Sequence, residues 1–174
     1  MYTSYYGMSC NPFLKDIKTK DSFVSEDLTN IINRLNYLKE VKGIGLFTGS
    51  PGLGKTFCLR KFCDSLNKDL YRVIYISATN LTLYDFYKAI ARELNIEISS
   101  CYKTDLYRKI QEALIKVVDE DRVDPIIIVD DCHFLSRSIL EEFKVLFDFD
   151  MDSKDYTTVV LTGHPSFKTE ISKK

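Results

Sequence analysis

The chain has 174 residues, 45% of them hydrophobic and 28% charged, with a net charge of −1. That size buries one core without disulfide or metal staples, and the near-neutral charge gives no global pull toward nucleic acid or anionic membrane. Five scattered cysteines without a CxxC pair, no secretory leader and no apolar run near the ~20 residues of a membrane helix predict a soluble, cytoplasmic protein with reduced thiols.

After an aromatic N-terminal stretch, "SEDLTNIINRLNYLKEV" spaces Leu28, Ile31, Ile32, Leu35 and Leu38 as one face of a helix. "KGIGLFTG" reads as a short buried strand ending in glycine, and Lys55 to about Leu66 as a helix with Phe57, Cys58, Phe62 and Leu66 recurring. "YRVIYISA" is a second strand by its β-branched and aromatic content. Two helices follow, through "LYDFYKAIARELN" and "TDLYRKIQEALIKVVDE", the latter with Leu106, Ile110, Leu114 and Val117 on one face. "PIIIVD" is the continuous apolar run of a strand buried on both faces. "SRSILEEFKVLFDF" is helical with Ile139, Phe143, Leu146 and Phe147 inward, and "YTTVVLTG" is a fourth strand. The tail "GHPSFKTEISKK" is too short to give that strand a covering helix of normal length. Alternating strands and helices predict a three-layer αβα fold around a parallel sheet, with any ligand at the strands' carboxyl edge.

"GSPGLGKT", Gly49 to Thr56, fits G-x-x-x-x-G-K-[ST] at every fixed position and falls between a strand and a helix. Backbone amides of Gly49, Ser50, Pro51's neighbours, Gly52, Leu53 and Gly54 can turn inward as an anion nest. Lys55 is placed to reach β- and γ-phosphates and Thr56 to put its hydroxyl on Mg²⁺, with the helix N-terminus and Phe57 directly behind. A chance lysine in a glycine-rich turn is the weaker reading. Such a loop needs a carboxylate at the end of another strand to hold Mg²⁺, and "IIIVD" supplies Asp130. Asp131 beside it is the candidate base for a water attacking the γ-phosphate.

The same "DDCH" cluster admits two other readings. A zinc site through Cys132 and His133 lacks further ligands at suitable spacing, and an Asp–His–Ser hydrolase lacks a nucleophile on an elbow. In "VVLTGHP", Thr162 or His164 would face the γ-phosphate if its strand lay between the other two motif strands. A plain strand-end turn set by Gly163 and Pro165 is an equal alternative for His164.

Four stretches in order, "YYGMSCNPF", "GIGLFTGSPGLGKT", "IIIVDDCHFLS" and "VVLTGHPSF", resemble the AAA+ ATPases. The resemblance is to the bacterial branch that holds transposition helper ATPases and secretion ATPases of the ExeA type. It implies ATP and Mg²⁺ as cofactors, a sheet in the order 5-1-4-3-2, and an adenine pocket near Asn11, Pro12 and Phe13. Residues 1–22 would then be the segment near the adenine and residues 23–174 the ATPase core. The magnesium carboxylate would be Asp130, the catalytic-base position Asp131, and the sensor position Thr162 or His164.

Three departures qualify what the resemblance implies. The base is usually glutamate in D-E-A-Q/H, and here it is the shorter Asp131. The sensor turn is often G-Q-P, and here it is "GHP". The fifth strand, the arginine finger and the helical lid of the family are not in the sequence, and such a finger can supply ~10³–10⁵ in rate. The expectation is a chain that binds Mg·ATP or Mg·ADP and turns over little, its full-length form a homo-oligomer. The role expected is a helper ATPase of DNA transposition, acting with DNA and a transposase; the alternatives are a nucleotide switch or scaffold with vestigial hydrolysis and an ExeA-like secretion ATPase.

Overall fold

The computed structural model describes residues 2–8, 11, 18–79, 81–98, 102–147, 149 and 155–172. A one-turn helix α1 (Tyr2–Tyr5) and a 3₁₀ turn (Thr19–Asp21) precede α2 (Glu26–Val41). Then come β1 (Gly43–Thr48), α3 (Lys55–Ser65), β2 (Tyr71–Ser77), α4 (Leu83–Glu93) and α5 (Lys103–Asp119). They are followed by β3 (Asp124–Asp130), a 3₁₀ turn (Cys132–Phe134), α6 (Arg137–Leu146), β4 (Thr158–Gly163) and α7 (Pro165–Ser172). Local chemistry starts the helices. Ser25 Oγ accepts from the Leu28 amide at 3.1 Å to cap α2, and Thr82 with Asp85 forms a reciprocal capping box on α4.

The strands lie in the order β1-β4-β3-β2, all parallel, as the αβα reading predicts. Register aligns Thr48 with Gly163 and Ser77 with Asp130, so the strands' carboxyl ends share one edge. No fifth strand pairs with β1 among the described residues.

Alternation along the strands assigns the two faces. Ile126, Ile128 and Val160 pack on Leu59 and Phe62 of α3 and Leu35 of α2. Ile74, Ile76, Ile127, Val129, Val159 and Leu161 face the larger core under α4, α5 and α6. Gly45 lets α2 lie close to β1, because a Cβ there would stand 2.3 Å from Leu38 Cδ2.

One difference from the sequence reading appears near the C-terminal end. Helix α6 stops at Leu146, before Phe147 and Phe149, because these aromatics are buried from outside a helix, Phe149 against Tyr156 at 5.0 Å. The tail after β4 forms α7, only eight residues long, opened by Pro165 at a position that needs no amide donor. Phe167 on α7 is 1% exposed and joins the larger core, so β4 has a short cover. Among the described residues no helix is long and apolar enough to cross a membrane.

Candidate nucleotide site at the carboxyl edge of the sheet

The glycine-rich loop leaves β1 after Thr48 and enters α3 at Lys55. Gly49 N donates to Gly163 O at 3.2 Å, tying the loop to the end of β4. Gly54 caps α3 with φ 78° and ψ 22°, left-handed backbone that glycine adopts without strain. Lys55 Nζ donates to Gly49 O at 2.9 Å and Ser50 O at 3.1 Å, so the ammonium is held inside the loop's curve. Phe57 lies two positions further along α3, its ring 5.4 Å from the Arg60 guanidinium. Pro51, Gly52 and Leu53 form the exposed tip.

Asp130 ends β3 on the α3 face of the sheet and is 3% exposed. Four donors meet its carboxylate. Oδ2 accepts from Thr56 Oγ1 at 2.9 Å and from Tyr75 OH at 3.0 Å. Oδ1 accepts from the Asp131 amide at 3.0 Å and, closer still, from Thr162 Oγ1. Burial pushes the Asp130 carboxyl up, but the bonds from Thr162, Thr56, Tyr75 and the Asp131 amide outweigh it and leave it below the ordinary carboxylate range. The loop, β2, β3 and β4 thus converge on one anion.

Tyr75 is the residue that sequence reasoning missed. Burial first, then the nearby Asp130 charge, pushes its phenol up to about 12, so it stays a protonated donor. Its signal was indirect: Ile74 and Ile76 face the larger core, which turns Tyr75 to the α3 side. Only the β2–β3 register then sets it diagonally from Asp130.

Asp131 sits at φ 58° and ψ 39°, left-handed backbone that aspartate tolerates better than most side chains. Its amide serves Asp130, and its half-buried carboxylate has no hydrogen-bond partner among the described residues. Cys132 is fully buried, its Sγ donates to Val129 O at 3.1 Å, and burial pushes its thiol up to about 12. It is a packing residue.

The structure separates the two sensor candidates. Thr162 is fully buried and bonded to Asp130. His164 instead contacts Ser166 Oγ at 3.1 Å through Nδ1, and its ring centre lies 6.2 Å from that of His133. The His133 ring packs on Phe134 at 4.1 Å, with Nδ1 buried and unbonded among the described residues.

A cavity of about 610 Å³ runs between α2 and β1 and opens on the glycine-rich loop. Arg34, Tyr37, Leu38, Leu46, Leu53 and Lys55 are among its walls. Asn11 is half-buried, whereas Pro12 and Phe13 lie outside the described residues.

The family pattern for an AAA domain matches residues 38–170, a span that includes the loop, Asp130 and β4. The chain belongs to the AAA+ family. General secretion pathway protein A of Aeromonas hydrophila is 29% identical over 174 residues, covering 97% of this chain and 31% of that protein. The chain spans about a third of that relative's length. Among solved structures, Cdc6p from Pyrobaculum aerophilum aligns with TM-score 0.64 at 24% identity, over 86% of this chain and 42% of the other. Drosophila ORC bound to DNA aligns with TM-score 0.67 at 18% identity, over 90% and 42%. At those identities the two neighbours establish the P-loop AAA+ fold and nothing finer.

Proposed function

We propose that this AAA+ domain binds ATP with Mg²⁺ and hydrolyses it slowly, as the ATPase core of an ExeA-like secretion protein. The observation that carries the reading is the bond from Thr56 to Asp130, which joins the glycine-rich loop to the acid of β3. A hydroxyl and a carboxylate are the hard oxygen donors that suit Mg²⁺, and both are held by rigid elements. Bound there, Mg²⁺ would neutralise charge on the β- and γ-phosphates.

The chain's own groups do the rest in this reading. Lys55 and the loop's remaining backbone amides, those of Ser50, Gly52, Leu53 and Gly54, hold the phosphates, Asp130 fixes Thr56, and Thr162 fixes Asp130. The unbonded Asp131 carboxylate orients and deprotonates the attacking water. The cavity between α2 and β1 receives the nucleoside, with Asn11, Pro12 and Phe13 of the 1–22 segment against the adenine. Titration calorimetry with ADP and ATP, with Mg²⁺ or EDTA, tests this on the wild type and Lys55→Ala. Binding that needs Mg²⁺ for full strength and drops at least 100-fold in Lys55→Ala supports it; equal binding by both proteins refutes it.

The relative's name favours the secretion role over that of a transposition helper. ATP-dependent DNA binding that weakens steeply with salt would reverse that preference and bring DNA and a transposase forward as partners. Nucleotide binding with no turnover in a full-length homo-oligomer would favour the switch or scaffold.

A further inference from the structure

All the acceptor capacity of Asp130 is taken by the chain itself. A carboxylate offers about four lone-pair positions, and Asp130 accepts from Thr162, Asp131 N, Thr56 and Tyr75. Two of these donors are locked in place: Thr162 is fully buried in β4, and the Asp131 amide is backbone. Thr56 is exposed, but its short side chain sits on the first turn of α3 and cannot swing far from Asp130. Tyr75 differs from them: it lies on β2, an edge strand among the described residues, and is 48% exposed. Its long side chain can rotate outward without breaking the sheet.

We infer that Tyr75 is a displaceable cap on Asp130, filling its last acceptor position in the metal-free protein and giving it up when Mg²⁺ arrives with its water shell. The inference rests on the nucleotide reading above. Mg²⁺ keeps several waters when it binds through one carboxylate, and those waters need acceptors. Asp130 can serve one only by releasing a donor, and Tyr75 is the donor free to leave. A contact made only in the metal-free state stabilises that state and weakens apparent metal affinity by the same factor.

Tyr75→Phe keeps the ring and removes only the hydroxyl. The Mg²⁺ concentration for half-maximal ADP enhancement should fall about 5-fold, the size of one net hydrogen bond. ADP affinity in EDTA should be unchanged. Melting of nucleotide-free Tyr75→Phe in EDTA should drop by about 2–4 °C, and the difference should vanish in saturating Mg·ADP.

An unchanged or higher Mg²⁺ midpoint overturns the inference, as does an equal melting loss in both states. A higher midpoint would make Tyr75 a lasting support of the metal rather than its competitor. If wild type binds no nucleotide, or binds it equally with and without Mg²⁺, the functional reading fails and this inference fails with it. Wild type that responds to Mg²⁺ beside an unaltered variant fails the inference alone.

Discussion

Thr56 and Asp130 are 74 residues apart in sequence and 2.9 Å apart in the fold, hydroxyl to carboxylate. Thr56 shares Asp130 Oδ2 with Tyr75, yet the two hydroxyls carry opposite expectations. Thr56→Val removes an oxygen offered to the metal at constant shape. The Mg²⁺ midpoint for ADP binding should rise at least 10-fold while affinity in EDTA stays within about 2-fold, measured by calorimetry. A midpoint that moved the same way in Thr56→Val and Tyr75→Phe would show that both act only through the packing of Asp130.

The backbone at Asp131 explains the short acid. At φ 58° an aspartate is tolerated, whereas a longer side chain gives up about 1 kcal/mol in that region. Asp131→Glu should therefore melt lower than wild type but hydrolyse ATP faster, its carboxylate reaching further toward the water. Asp131→Ala should bind ATP normally and hydrolyse none. Turnover by malachite-green assay beside melting curves checks both, and an Asp131→Glu protein no faster than wild type would remove chain length as the limit.

Glu142 gives a pH dependence separate from the nucleotide. Burial pushes its carboxyl up, but hydrogen bonds from Lys103 and Tyr87 outweigh that and leave it below its ordinary value. A depressed folded pKa makes the unfolded chain bind protons first. The group's stability is then fully present above the unfolded value of about 4.3 and is lost as pH falls through the folded value. Glu142→Gln should be less stable than wild type at pH 7, and the gap should shrink in urea melts taken toward pH 3. A constant gap across that range would contradict the assignment.

Phe62 supports the site from beneath. It is fully buried between α3 and Ile126, Ile128 and Val160, the face from which Asp130 emerges. Phe62→Ala should cost about 3–5 kcal/mol by urea unfolding. A loss under 1 kcal/mol would mean that α3 is not anchored by this contact.

The glycine-rich loop and the β3 acid were legible because each is a local pattern, a run of glycines with Lys55 and an apolar strand ending in Asp130. The parallel sheet followed from alternation, and its order came from resemblance. The end of α6 was misread because Phe147 and Phe149 continue an apolar spacing that the fold buries by leaving the helix. Tyr75 was invisible because its role depends on register between two strands whose paired ends are 53 positions apart, Ser77 opposite Asp130. His133 beside His164 was hidden for the same reason, since two separate turns make that pair.

Strand β1 is an edge of the described sheet, and Ile44 and Leu46 on it are 48% and 40% exposed. The strand runs straight into Gly49, so this open edge is also the stem of the glycine-rich loop. A neighbouring strand laid along Gly43–Thr48 would set the stem's twist and hence the loop's aim. Under the nucleotide reading proposed above, geometry at that edge would thereby adjust the grip on phosphate from several residues away.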